Sequence, residues 1–170
     1  PSASTTATLA MGDALAIALL EARGFTEKDF AHSHPGGSLG RRLLLHISDV
    51  MHVGEELPVC DTDTLLSEAL VIMTSSSLGM VVIVDDSDTV LGIFTDGDLR
   101  RILEARGDVH ELRMGAAMTP GGVTVGPHQL AAEALNLMET RKISGLPVVD
   151  GGGKLIGALN MHDLLRAGVY

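Results

Sequence analysis

The sequence predicts an α/β fold in which two β-α-β-β-α units pack against each other as a pseudo-two-fold pair. The first observation is a repeat: Glu68-Ala69-Leu70 returns as Glu133-Ala134-Leu135, and two strand-like runs return at the same offset. A Gly-x-x-Thr-x-x-Asp motif also returns at that offset, with Asn in place of Thr. The second is the copy number, since a solenoid needs about three repeats to bury a continuous core. The third is size, because a unit of roughly 55 residues is too small to be stable alone. A closed pair satisfies all three observations.

The first unit is expected to span 47–105. Its predicted elements are a strand at 57–60, a helix capped by Thr64 and running to 74, strands at 80–84 and 90–94 around an acidic turn, and a helix at 96–103. The strand at 80–84 is apolar throughout, which is typical of a strand that is buried on both faces.

The second unit is expected to span 112–170 and repeats this order. Its predicted elements are strands at 123–125, 146–149 and 155–159 and helices at 130–140 and 161–166, with a turn of three glycines at 151–153. A charged stretch at 106–113 links the two units.

Residues 1–45 contain helical patterns but no strand. Apolar spacing from Leu9 predicts a helix capped by one of Ser4, Thr5 or Thr6 that ends at Arg23-Gly24. Thr26 and Asp29 predict a capping box that opens a second short helix. Because helices of an α/β domain need a sheet to cover, we expect that sheet to lie in residues outside this chain, and the chain to be a piece of a longer protein.

Composition excludes several classes of function. The formal net charge of −10 disfavours binding to nucleic acids or anionic membranes, which needs a basic surface. No stretch is expected to approach the length of apolar residues that is needed to span a bilayer. The single cysteine, Cys60, cannot form an intrachain disulfide, which favours a reducing cytoplasm, and its apolar neighbours predict a buried, inert thiol. The histidines show no metal-ligand spacing, so no metal site is predicted.

One motif in the repeat carries polar chemistry. Gly92 permits close approach of a ligand or a neighbouring backbone, and Thr95 lies where a strand gives way to a helix, so its hydroxyl can cap that helix or bind a phosphate. Asp98 follows one turn later and can accept hydrogen bonds from a ribose diol. The alternative is that Thr95 and Asp98 form a capping pair and nothing more.

The paired unit resembles a tandem CBS module, in which Gly, two apolar residues, Thr or Ser, two further residues and Asp form the family pattern. Gly92, Thr95 and Asp98 match it in full. The second copy has Asn160 in place of Thr or Ser, before Asp163. The resemblance implies a regulatory nucleotide or nucleotide sugar in the clefts between the repeats, with the Thr95/Asp98 cleft the better candidate. A purely structural role in assembly remains the alternative.

A second motif precedes the repeats, in a loop rich in Gly and Pro. It reads His32-Ser33-His34-Pro35-Gly36-Gly37 and is followed by Arg41 and Arg42. A histidine beside arginines can act as a general acid or base near a phosphate. On its own the pattern is weak, because a loop histidine is most often only a solvated side chain.

With the residues around it, this loop resembles the end of the sugar isomerase (SIS) domain of arabinose-5-phosphate isomerases, and the resemblance continues through both CBS units. It implies a cytoplasmic, homotetrameric aldose–ketose isomerase that needs no cofactor, acts on ribulose 5-phosphate and supplies the Kdo sugar of lipopolysaccharide. It assigns an active-site role to His34 and places Ser4, Thr5 and Thr6 near the substrate. A related SIS–CBS isomerase serving a capsule or polyol pathway is the alternative. In either case the chain alone is expected to be inactive.

Overall fold

The computed structural model describes residues 2–26, 29, 44–106 and 111–169. The first helix, α1 (Ala3–Ala22), begins after Ser2 and ends at Arg23, where Gly24 takes a φ of +63°. None of its residues is buried. The helix is therefore an apolar rod whose side chains face solvent along its whole length.

The first repeat builds most of a four-stranded sheet. Its elements are β1 (Val59–Cys60), α2 (Leu66–Ser76), β2 (Met80–Val84), β3 (Val90–Thr95) and α3 (Asp96–Arg106). Strand β1 runs parallel to β2, and β2 is antiparallel to β3. All five residues of β2 are buried, as the apolar run predicted.

The second repeat follows the same plan. After the short helix α4 (Met114–Ala117) and strand β4 (Thr119–Pro120) come α5 (Ala131–Arg141), β5 (Gly145–Val149), β6 (Leu155–Asn160) and α6 (Met161–Arg166). Strands β5 and β6 are antiparallel, and Val125 forms a parallel bridge to Val148 in the position that β1 has beside β2. The expected β-α-β-β-α order is confirmed, although the strand predicted at 123–125 is reduced to the single bridge at Val125.

Each repeat completes its sheet with a segment from the other half of the sequence. Strand β4, near the start of the second repeat, pairs antiparallel with β3 of the first. Conversely, His52, which precedes β1, forms an antiparallel bridge to Ala158 of β6. We call residues 44–52 and 112–120 the exchanged segments.

The hydrophobic cores show the same exchange. Ile47 is fully buried among residues of the second repeat, including Met138 and Leu159. Met114 is fully buried in the core of the first repeat, with Phe94. Neither repeat therefore has a complete core without the other.

Some predicted element bounds were wrong by one or two residues. The cap of α1 is Ser2 rather than Ser4, Thr5 or Thr6. Helix α2 begins after Leu65 rather than after Thr64, because the Thr64 hydroxyl donates to Asp61 instead. The capping box at Thr26 and Asp29 is confirmed: the Thr26 amide donates to the Asp29 carboxylate at 2.8 Å. The helix that the box was predicted to open lies outside the described residues.

The expectation that nothing in the chain is long enough to span a bilayer was wrong. Helix α1 has 20 residues and is long and apolar enough by length and composition. Small side chains of Ala, Gly, Ser and Thr break up its large apolar ones, so it contains no unbroken run, yet it carries little charge. Signal sequences and core helices of soluble proteins meet the same criterion, so this finding does not assign a span.

Candidate functional site

The Thr95/Asp98 motif forms a closed capping box at the start of α3. The Thr95 amide and hydroxyl both donate to Asp98 Oδ2, at 2.9 and 2.7 Å, and the Asp98 amide donates to Thr95 Oγ1 at 3.4 Å. Strand β3 delivers Thr95 to the helix N-terminus, which is why a strand-to-helix junction needs this pair of residue types. The capping role that the sequence allowed is therefore present.

The other oxygen of Asp98 is engaged as well. Thr119 of the exchanged segment donates its hydroxyl to Asp98 Oδ1 at 3.0 Å, and the Arg101 guanidinium forms a salt bridge with the same oxygen. Partial burial opposes ionisation of this carboxyl. The hydrogen bonds from Thr95, Thr119 and Arg101 outweigh that effect and hold its pKa below the usual value. A ligand hydroxyl that binds Asp98 has to displace one of these donors.

Close backbone approach explains Gly92. A Cβ at this position would lie 2.6 Å from the carbonyl oxygen of Thr119. The neighbour that Gly92 admits in this structure is thus strand β4. The same relation holds at Gly157, where a Cβ would lie 3.2 Å from the carbonyl oxygen of His52 and closer still to Met51.

The equivalent motif in the second repeat keeps the box with Asn160 as the cap. The Asn160 amide donates to Asp163 Oδ2 at 2.9 Å, and the Asp163 amide donates to Asn160 Oδ1 at 3.0 Å. The side-chain amide of Asn160 also donates to the Ser77 carbonyl of the first repeat at 3.4 Å. Asn160 therefore connects the two repeats as well as capping α6.

His52 faces the Asp163 carboxylate from the exchanged segment. Its Nε2 lies 3.2 Å from Asp163 Oδ1, and its Nδ1 lies 2.9 Å from Glu56 Oε2. Partial burial of the ring opposes protonation, but the hydrogen bonds to Glu56 and Asp163 outweigh it and raise the pKa of His52 above 6.5. Sequence reasoning grouped His52 with the scattered histidines. Its partner Asp163 is in the other half of the chain, and no local pattern could have signalled the contact.

Two cavities border the Asn160/Asp163 end. One of about 650 Å³ is lined by His52, Glu55 and Glu56, by Leu57–Val59 and by the side of α2. A second of about 390 Å³ is lined by Ser77, Asn160, His162 and neighbouring residues. The lining of the larger cavity includes two glutamates and neither Lys nor Arg, so it favours an uncharged or cationic group over a phosphate.

The other predicted residues are placed as follows. Ser4, Thr5 and Thr6 lie exposed in the first turns of α1, where Thr5 Oγ1 is 3.1 Å from the hydroxyl of Ser2. His34, with its loop and the two arginines after it, lies outside the described residues. His162 lines the smaller cavity.

Cys60 is buried, and burial raises the pKa of its thiol to about 11, so it is the inert thiol that was predicted. Within residues 2–26, 44–106 and 111–169, no three His, Cys, Asp or Glu side chains lie together as a metal site would require.

Comparison with known proteins identifies the class. The CBS domain pattern matches residues 47–105 and 109–170, which cover more than half of the chain. The chain therefore belongs to the CBS domain family, as a tandem pair. Solved CBS structures share its fold: CBSX2 in complex with AMP superposes with a TM-score of 0.62 at 28% identity, covering 72% of this chain and 95% of that one.

A second solved structure shows the fold alone. The CBS domain pair of protein MJ0100, in complex with 5′-methylthioadenosine and S-adenosyl-L-methionine, has a TM-score of 0.62 at 21% identity and covers 71% of this chain and 93% of that one.

The particular relatives are isomerases. The chain is 57% identical over 169 residues to the arabinose 5-phosphate isomerase KdsD of Salmonella typhimurium, covering 99% of this chain and 51% of that protein. It is 60% identical to KdsD of Pseudomonas aeruginosa, covering 99% of this chain and 52% of the relative. The resemblance to arabinose-5-phosphate isomerases drawn from the sequence is confirmed. The chain spans about half the length of these curated relatives.

Proposed function

We infer that this chain is the C-terminal part of an arabinose-5-phosphate isomerase, which interconverts ribulose 5-phosphate and arabinose 5-phosphate in the cytoplasm and supplies the Kdo sugar of lipopolysaccharide. The observation that carries this proposal is 57% and 60% identity to two such enzymes along 99% of the chain. The similarity includes the residues before the CBS pair, so it does not rest on the regulatory fold alone.

The proposed chemistry assigns one group of this chain to the reaction. Aldose–ketose isomerisation moves a proton between C1 and C2 of the sugar while a hydroxyl proton is shuttled between the two oxygens. His34 is proposed to act as an acid/base group in that exchange, which a histidine can do at neutral pH. Ser4, Thr5 and Thr6 are proposed to lie near the substrate. The remaining machinery would come from residues absent from this chain.

The exposed apolar surface of α1 supports the proposal that further residues of the enzyme pack against this chain. Leu9 is 67% exposed and Met11 64% exposed, as core side chains of a larger domain would be after removal of their neighbours. We propose that the SIS domain of the full protein covers this helix. We also propose that SIS domains of neighbouring subunits assemble the homotetramer.

Two assays test the isomerase proposal. The chain alone should give no turnover with ribulose 5-phosphate. A hybrid in which this chain replaces the matching half of the Pseudomonas aeruginosa enzyme should be active. In that hybrid, His34→Gln should lower kcat by about 10²–10⁴-fold, the usual contribution of a general acid or base. The matched control is His32→Gln in the same loop, which should retain turnover. Activity of the chain alone, or an inactive but folded hybrid, would contradict the proposal.

A regulatory role for the CBS pair is the second part of the proposal: it binds a nucleotide or nucleotide sugar, such as CMP-Kdo, between its repeats. CBSX2, which is 28% identical, was solved with AMP, and each capping box contains a carboxylate that could accept a hydrogen bond from a ribose hydroxyl once that hydroxyl displaces a present donor. Glu55 and Glu56 in the larger cavity predict weaker binding of ATP than of AMP at the Asp163 end.

Calorimetry of the chain with AMP, ATP and CMP-Kdo tests this role. Asp98→Ala and Asp163→Ala should each abolish binding at its own cleft, which decides between the two ends. Asp86→Ala, in an exposed turn, is the charge-matched control. The absence of heat with all three ligands, with self-association retained, would instead assign the module to assembly alone.

A further inference from the structure

The two exchanged segments place different side chains in equivalent positions. Thr119 lies against Gly92 of the first repeat, and His52 lies against Gly157 of the second. In both cases the backbone carbonyl of the segment residue packs where the glycine has no side chain. The pseudo-two-fold symmetry of the fold thus makes Thr119 and His52 counterparts.

Both side chains contact the carboxylate of the capping box, but only one of them titrates near neutral pH. Thr119 donates its hydroxyl to Asp98 at 3.0 Å, a contact that pH does not alter in the neutral range. His52 contacts Asp163 at 3.2 Å through an imidazole nitrogen. The fold therefore holds one half with a permanent hydrogen bond and the other half with a proton-dependent one.

The geometry of His52 requires the charged ring. A neutral imidazole carries one N–H, so with carboxylate oxygens at both nitrogens one of them would face a lone pair. Glu56 Oε2 is 2.9 Å from Nδ1 and Asp163 Oδ1 is 3.2 Å from Nε2. Both contacts are favourable together only in the imidazolium, and both are then charge-assisted.

Other charged groups around the ring reinforce this preference. Glu55 lines the same cavity, which adds negative charge. Strand β6, which pairs with the His52 backbone, contains no titratable residue, and the side of α2 that lines the cavity contributes Ile72, Ser75 and Ser76. Apart from Asp163, helix α6 carries His162 and Arg166, both exposed.

We propose that His52 is a proton-operated latch between the two repeats: the imidazolium fastens segment 44–52 to Asp163, and the neutral ring releases it. The latch belongs to the CBS pair itself and stands whether or not the isomerase assignment holds. Because the folded protein raises the pKa of His52, the stabilisation is fully present below the unfolded value of 6.5. It is lost as the pH rises through the folded value.

The test uses the 170-residue chain and measures both the protonation of His52 and the opening of exchanged segment 44–52. In NMR titrations, the His52 ring should titrate above 6.5, and Glu56→Gln, which changes a largely exposed side chain, should lower its midpoint. Hydrogen exchange should show the opening of exchanged segment 44–52: protection of the Ala158 amide, which donates to the His52 carbonyl, should fall with rising pH by about tenfold for each unit by which folding raises the pKa.

The molecule supplies its own controls. Protection of the Gly121 amide, which donates to the Leu91 carbonyl directly after the other exchanged segment, should not fall over the same pH range. His52→Thr, which copies the residue of the other half, should make the Ala158 protection independent of pH. His46→Thr, on the same segment, should leave the pH dependence unchanged. A His52 midpoint at or below 6.5, or the same pH dependence in His52→Thr as in the unmodified chain, would overturn the proposal.

Discussion

At the scale of single residues, the molecule concentrates polar contacts on two buried or half-buried aspartates. Asp98 is 7% exposed and has donors on both oxygens, and Asp163 occupies the same position in the other repeat. A capping carboxylate normally serves one helix. Here each one also receives a side chain from an exchanged segment, so a local motif becomes a long-range contact.

Asp98→Asn should destabilise the protein by about 1–3 kcal/mol, because an amide turns one buried acceptor into a donor facing the groups that donate to Asp98. Urea unfolding at pH 7 measures the loss. The matched change Asp86→Asn removes the same charge from an exposed turn and should have little effect.

The pH dependence of the same variant has a defined sign. Since the pKa of Asp98 is lowered on folding, its contribution is present above the unfolded value of 3.8 and is lost as the pH falls through the folded value. The difference in free energy of unfolding between the unmodified chain and Asp98→Asn should therefore decrease as the pH falls. A difference in unfolding free energy that stays constant from pH 7 to pH 3 would show that Asp98 stabilises the protein without its charge.

At the scale of elements, the long strands and helices of the repeats could be predicted from the sequence. The exchange of segments between the two repeats could not. Strand β2 and helix α6 match their predicted bounds, since apolar runs and strand-to-helix junctions are local signals. The short elements Ile47–Asp49, Met114–Ala117 and Thr119–Pro120 went unpredicted. Elements of two to four residues display no period, and their conformation depends on a partner far along the chain.

The exchange predicts that a change in one half will weaken the other. Ile47→Ala removes a fully buried side chain from the core that contains Leu146 and Leu159, and should cost about 2–5 kcal/mol. Hydrogen exchange should show the lost protection in β5 and β6 rather than in β2 and β3. Val53→Ala, at an exposed position one residue beyond the segment, is the control. Loss of protection confined to the first repeat would contradict the exchanged arrangement.

The candidate site was only partly predictable for the same reason. The Gly-x-x-Thr-x-x-Asp spacing identified the capping boxes, because all their members lie within seven residues. The contacts of Thr119 with Asp98 and of His52 with Asp163 join distant parts of the chain. Sequence reasoning could name the carboxylates but not the distant side chains that contact them.

At the scale of the whole molecule, the CBS pair and α1 are energetically separate. No residue of α1 is buried, and its exposed side chains include Leu9, Met11, Leu15 and Ile17. The pair holds its own cores without this helix. The helix is thus the part of this chain best suited to contact the rest of a larger protein.

Deleting residues 1–26 should therefore leave the unfolding midpoint of the pair nearly unchanged and reduce self-association. Thermal unfolding and light scattering at matched concentrations measure the two effects. Leu15→Glu with Leu19→Glu in the intact chain should reduce self-association similarly, because both side chains are more than half exposed. A large drop in the midpoint on deletion would show that α1 stabilises the pair.

The exchanged segments also set an order of events during synthesis. A ribosome adds about 5–20 residues per second, so the first repeat emerges several seconds before the chain is finished. Its sheet edge at β3 stays unpaired until Thr119 and Pro120 have left the exit tunnel. Ile47 stays unpacked for longer, until Leu159 of its core has been synthesised. Throughout that interval the nascent chain presents an open strand and an unfilled core, the features that molecular chaperones recognise.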